Sequence, residues 1–301
     1  MPPWLDNYKA QQKKDKKPID IEKIPDTNIE GVWFGDKNAA TTIMIFFHGG
    51  GFAMPGMDMH AQLLARMADW GKGNLAIFAP AYTLTPYAVY PQALGECVEA
   101  TRFILEGVGK SKGILLAGDS AGGQLVIALL SHVSGHQHPQ GQVVKPLELQ
   151  GRRFKGAAAL SPWVSSDTKK FPSIHELSKT DMIGPNCATY WDDIYRAGKS
   201  ADHYIVPEAA PTEWWAGLGE SVDDLLILAG GDEAILEPIE SWSKKVQEGW
   251  PNGKVRLVVG AGESHDEPLT PIGAEKLNAQ VPGKETAMEG ALYHWVKDLT
   301  A

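Results

Sequence analysis

The chain has 301 residues, a net charge of −9 at neutral pH and an ordinary apolar content. That is enough for a sizeable buried core in one large domain or two small ones. The acidic balance argues against nonspecific nucleic-acid binding, which needs a basic face, and no window approaches the 18 uninterrupted apolar residues of a membrane-spanning helix.

Residues 1–28 are polar and proline-punctuated, a loose or helical arm without the apolar stretch and small-residue cleavage site of a secretory signal. Its lysines at 9, 13, 14, 16 and 17 read as a solvated face. Short strands follow at 31–35 and 41–48, the second rich in β-branched and aromatic residues. "HGGGFAMPG" then interrupts regular structure. Residues 58–71 carry apolar side chains at helical spacing, 74–80 form a strand, and 91–108 form a helix opening on proline. Strand 113–118 leads directly into helix 120–132. Strands at 155–163, 223–231 and 254–262, a helix at 237–249 and a closing helix near 284–299 complete the order. Alternating strands and helices, with strands apolar throughout, predict a mostly parallel central sheet covered by helices on both faces. Residues 164–215 break the rhythm with helical pieces, prolines and Trp191, Trp214 and Trp215, as a small cap over one end of the sheet would. The expected organisation is an arm over 1–30 that joins the cap, a core of 31–163 and 216–301, and a cap insertion over 164–215.

Between strand 113–118 and its helix lies "GDSAG", in which Ser120 sits at a crossing so tight that glycine is needed on either side. Such a turn lifts a hydroxyl above the sheet edge at a helix N-terminus, where free N–H groups favour developing negative charge. Ser120 is therefore the candidate nucleophile. The three glycines of "HGGG" offer unobstructed N–H groups, and acyl transfer needs such donors for an oxyanion. Gly50 and Gly51 are assigned to that role with the N–H of Ala121. A phosphate cradle would require a Gly-Lys-Ser/Thr ending, which is absent. An acid and then a base follow the serine in chain order: Asp232 after strand 223–231 and His265 after strand 254–262, both at the carboxyl edge that parallel strands share. Asp232 would orient His265, and His265 would take the Ser120 proton. Glu233, Glu237, Glu263 and Asp266 compete as the acid. His132, His136 and His138 lie in or beside a helix-exit loop and lack the partners of a metal site. His48 is expected to shape the glycine loop. Cys97 and Cys187 stand apart from any CxxC pair and read as reduced thiols, with one disulfide left open.

Together, HGGG at 48–51 and GDSAGG at 118–123 resemble the hormone-sensitive-lipase family of α/β-hydrolases. "PAYTLTPYAVYPQAL" (80–94), "LSPW" (160–163) and "GGDE" (230–233) are similar to further blocks of that family, so the resemblance runs from about 30 to 299. It implies an α/β-hydrolase fold with a cap and carboxylic-ester hydrolysis through an acyl-enzyme on Ser120, with no metal or cofactor. The implied partner is a small to medium, fairly apolar ester. With no signal or membrane span read in the sequence, the expected compartment is the cytoplasm, and the expected state is a monomer or homodimer. Two departures stand out. Thr83 replaces an arginine, and His265 is followed by Asp-Glu-Pro where the family carries an aromatic. The pocket is expected to draw on Met54, Trp163, Trp191 and Trp214, with Met57 and Trp215 as further candidates. Amide or formamide hydrolysis with the same triad, a dehydratase or cyclase, and a small-molecule receptor on the same frame are the alternatives.

Overall fold

The computed structural model describes residues 3–269 and 286–301. In chain order the elements are α1 (Trp4–Asp15), β1 (Ile21–Lys23), β2 (Glu30–Phe34), β3 (Thr42–Phe47), α2 (Asp58–Trp70), β4 (Leu75–Pro80), α3 (Gln92–Gly107), β5 (Gly113–Asp119), α4 (Ser120–Val133) and β6 (Gly156–Leu160). After these come α5 (Ser173–Glu176), α6 (Pro185–Arg196), three single-turn 3₁₀ helices between Pro207 and Glu220, β7 (Asp224–Gly230), α7 (Leu236–Gly249), β8 (Lys254–Gly260) and α8 (Ala287–Thr300). The first two residues of the helix expected from 284 lie outside the described residues.

The strands form one eight-stranded sheet in the order β1-β2-β4-β3-β5-β6-β7-β8. From β4 to β8 all neighbours are parallel, and β2 joins antiparallel through Val32↔Ala79 and Trp33↔Phe78. Both faces of the central strands are buried, which is why their sequences run apolar without alternation. Side chains of β3 divide by the strand period of two. Ile43, Ile45 and Phe47 pack toward the layer of α3, α4 and α7, and Met44 and Phe46 toward α1, α2 and α8. The registers Phe47↔Gly118 and Asp119↔Leu160 bring the carboxyl ends of β3, β5 and β6 to one level. Loops leaving these strands therefore converge on a single rim.

α1 packs along α2, and Tyr8 Oη donates to Trp33 O at 2.9 Å, so the helix lies on the sheet layer. Residues 21–23 add β1 to the sheet edge, inside the span expected to be arm. That strand is only three residues long, too short to stand out as a period-two pattern. The composition break at 164–215 corresponds to α5, α6 and two of the 3₁₀ turns. α6 is fastened by Tyr195, whose ring stacks on Phe52 with centroids 3.6 Å apart and whose carbonyl accepts the Tyr90 N–H. At Thr83, where the family pattern has arginine, the hydroxyl and N–H both donate to Glu96, at 2.9 and 2.6 Å. Cys97 is buried, Cys187 half-buried, and both are free thiols. Among the described residues no helix is long and apolar enough to cross a membrane.

Candidate active site

Ser120 opens α4 with no intervening residue after β5, and its backbone is left-handed at φ 49°. A residue with a side chain adopts this conformation only at a cost of about 1–2 kcal/mol. The surroundings hold it there. The Ser120 carbonyl accepts the Trp163 N–H at 3.0 Å, and α4 passes so close to β3 that a Cβ at Gly122 would lie 1.9 Å from the Phe47 carbonyl oxygen. Gly122→Ala is accordingly expected to destabilise by about 1–3 kcal/mol, because overpacking against fixed backbone outweighs the helix-propensity gain. A lowered urea midpoint at unchanged slope checks this.

The glycine loop after β3 turns back through Gly50 (φ 113°) and Gly51 (φ 59°). Among the described residues, none accepts a hydrogen bond from the N–H of Gly50, Gly51 or Ala121. Three donors are thus free at the rim beside Ser120. Asp119 fixes their position relative to the serine. Its Oδ1 accepts the Gly49 N–H at 2.9 Å, and its Oδ2 lies 3.1 Å from His60 Nε2. His60 Nδ1 accepts the Met57 N–H at 2.9 Å, which leaves Nε2 as the donor to Asp119. Nothing in the sequence spacing of His60 from Asp119 signals this contact. His48 does shape the loop: Nδ1 donates to Gly49 O at 2.8 Å, and the ring stacks on Tyr82. Burial, reinforced by the nearby His60, pushes its pKa down to about 4, so it stays neutral.

His265 stands beyond β8 on the same rim, 1 % exposed. The carboxylate that meets it is Glu233, one residue past the expected Asp232. Glu233 Oε2 lies 3.5 Å from His265 Nδ1, and the residue is fully buried. Asp232 is half-buried, and its side chain forms no hydrogen bond or ion pair among the described residues. The reason is the way the chain leaves β7. Gly231 N–H donates to Gly260 O, Asp232 N–H to Glu263 O, and Glu233 N–H turns back to Gly230 O at 3.4 Å, so the chain leaves the strand in a tight turn. That turn leaves Asp232 half-buried at its outside and brings Glu233, fully buried, to the imidazole. Ser161, just after β6, donates its hydroxyl to Glu233 Oε2 at 2.6 Å and accepts the Asp266 N–H at 3.1 Å. Its only trace in the sequence is its place within LSPW. Burial pushes the Glu233 pKa up, against the opposing pull of His265 and Ser161.

Asp266 closes the other side of the ring, with Oδ2 3.2 Å from His265 Nε2. Burial alone would lower the His265 pKa, but Asp266 and Glu233 overcome it and hold the imidazole well above its ordinary value. A cavity of about 200 Å³ opens over Ser120 and His265, walled by Met54, Met57, Met59, Met182, Ile183 and Trp191. Met54, Met57 and Trp191 are thus where they were expected. Trp163 and Trp214 are not. Trp163 is buried and packs edge-on against Trp191 without lining the cavity, and Trp214 stacks on His136 and donates to Ser131 Oγ. Trp215 is core, packed against Trp242. His132 and His138 also serve structure: His132 bridges Lys145 O and the His138 N–H, and His138 meets Tyr90 Oη.

A hydroxyl on a left-handed elbow, three free N–H groups and a carboxylate–histidine pair on one rim match a known pattern, and the sequence profile described as α/β-hydrolase fold covers residues 44–268. The chain belongs to the α/β-hydrolase family. Mycobacterium tuberculosis LipR is 36% identical over 162 residues, 52% of this chain and 46% of that protein, so the chain spans about half of LipR's length. Esterase LipU of the same organism is 25% identical over 226 residues, 74% of this chain and 69% of that one. Among solved structures, a hormone-sensitive lipase from a metagenome library superposes with a TM-score of 0.72 at 20% identity, covering 100% of this chain and 92% of that chain. The esterase EstE5 superposes with a TM-score of 0.73 at 21% identity, covering 100% and 94%. The expected resemblance to hormone-sensitive-lipase-like hydrolases is borne out, as is the α/β-hydrolase fold.

Proposed function

We propose that this α/β-hydrolase is a serine esterase that cleaves short-chain carboxylic esters through an acyl-enzyme. The observation that carries the reading is Ser120 in its strained elbow, beside three unoccupied N–H donors, with Ser120, Gly50 and Gly51 all lining one apolar cavity. Ser120 Oγ attacks the ester carbonyl and passes its proton to His265. The carbonyl oxygen, now negative, is held by the N–H groups of Gly50, Gly51 and Ala121. The tetrahedral intermediate collapses as His265 returns the proton to the leaving alcohol, and a water activated by the same imidazole releases the acid. Glu233 orients His265 and balances the imidazolium charge. LipU is named an esterase, and LipR is provisionally named an acetyl-hydrolase; both names agree with this chemistry.

Cavity size argues for a short acyl group. About 200 Å³ corresponds to roughly seven water volumes, room for an acetyl to butyryl chain beside part of the alcohol. Apolar walls of methionine, isoleucine and tryptophan disfavour a charged acyl end. With p-nitrophenyl esters from acetyl to dodecanoyl, kcat/KM should peak between acetyl and butyryl and fall at least about tenfold by octanoyl, since a longer chain leaves methylenes outside the cavity. A fluorophosphonate should label Ser120 in the same preparation. Absence of both turnover and label would overturn the reading.

A further inference from the structure

The residue directly after the base is Asp266, in the stretch where this chain departs from the family pattern, and the reaction described above does not use it. Its backbone is left-handed at φ 56°, a conformation that Asp and Asn tolerate better than most residues. Two bonds hold the turn: Asp266 N–H to Ser161 Oγ, and Leu269 N–H to Asp266 O at 2.8 Å. The side chain is thereby set on the Nε2 side of His265, opposite Glu233. Nε2 is the atom that must face Ser120 if Glu233 orients the ring through Nδ1. Among the described residues Ser120 Oγ forms no hydrogen bond, so the imidazole is engaged by two carboxylates and not by the serine.

We propose that Asp266 is a positioning residue that occupies the proton-accepting face of His265 in the free enzyme and so sets the pH above which His265 becomes a base. This inference rests on the esterase reading. The proton held at Nε2 between the ring and Asp266 passes to solvent as the pH rises. The freed Nε2 lone pair then takes the Ser120 proton as Oγ bonds to the carbonyl carbon. Other titratable groups face the pair from each packed element. Glu233 after β7 and Asp119 at the end of β5 are acidic, His60 on α2 is paired with Asp119, and Cys187 on α6 faces His265. Burial pushes the Asp266 pKa up to about 7 against the pull of His265, with Asp119 and Glu233 reinforcing the rise.

The sign follows from charge. Asp266 stabilises the imidazolium, so it moves the acid limb of the kcat/KM profile to higher pH; that profile reports the free enzyme. Asp266→Asn keeps the shape and the tolerance of positive φ but removes the charge, and Asp266→Gly removes the side chain and relieves the backbone. With p-nitrophenyl acetate, both variants should show an acid limb at least about one pH unit below that of the wild type. At pH 6 this makes kcat/KM about tenfold higher than in the wild type. An independent readout needs no turnover. The histidine resonances of wild type and Asp266→Asn are titrated by NMR, with His265 assigned by its loss in His265→Gln. The His265 midpoint should fall in Asp266→Asn. Failure of the wild type to hydrolyse any ester would count against the esterase reading, while the NMR midpoints would still decide on Asp266. If the acid limb and the midpoint stay at their wild-type positions in the variants, whatever the level of activity, the proposal is overturned and Asp266 merely shapes the turn.

Discussion

Ser120→Ala should lower kcat for p-nitrophenyl butyrate by about 10⁶, the loss expected when the nucleophile of such a site is removed. The fold should survive. Ser120 Oγ bonds no described residue, so its removal leaves no buried donor or acceptor unpaired. Alanine must still adopt the left-handed backbone at 120, a strain the present serine already bears. A melting temperature within a few degrees of the wild type, together with loss of fluorophosphonate labelling, distinguishes loss of the nucleophile from loss of the structure. Turnover persisting in a folded Ser120→Ala protein would place the nucleophile elsewhere.

The second large effect separates two adjacent carboxylates. Glu233→Gln should cost about 10⁴ in kcat, because the amide can neither balance the imidazolium nor impose the required tautomer on His265. Asp232→Asn should stay within about threefold of wild type, since that side chain faces away from the ring. The pair forms its own control: the two substitutions are chemically alike and adjacent in sequence, and they differ in where the turn after β7 places them, Glu233 buried against His265 and Asp232 half-buried. The reverse order of effects would mean that Asp232 reaches His265 in the working enzyme.

Most of the sheet was legible because doubly buried parallel strands leave long apolar runs bounded by turns. β3 to β8 fall within a few residues of their expected spans. The elbow and the glycine loop were legible because close backbone approach restricts those positions to glycine, as Gly122 against Phe47 shows. Four features were not. β1 is too short to carry a pattern. The choice between residues 232 and 233 depends on the geometry of the tight turn that follows β7, and both candidates are acidic, so composition does not decide. The pocket walls depend on how residues 164–215 fold, and tryptophans are as much at home in a core as in a cavity. Trp191 reached the cavity, whereas Trp163 and Trp215 filled the interior and Trp214 found a histidine to stack on. The contact of His60 with Asp119 joins residues 59 positions apart, a separation that no local motif records.

Asp119 has a consequence for how the site comes apart. Its single carboxylate joins the strand that carries the serine to the loop that carries the glycine donors, across the paired centre of the sheet. Serine and donors therefore move as one rigid unit. His265 depends instead on β8, which ends the sheet and has most of its residues exposed or half-exposed. Fraying begins at such margins, where few contacts must break, while a fully packed centre opens last. Heat would thus separate the base from the serine before it separated the serine from its donors, and enzymatic inactivation would precede global melting.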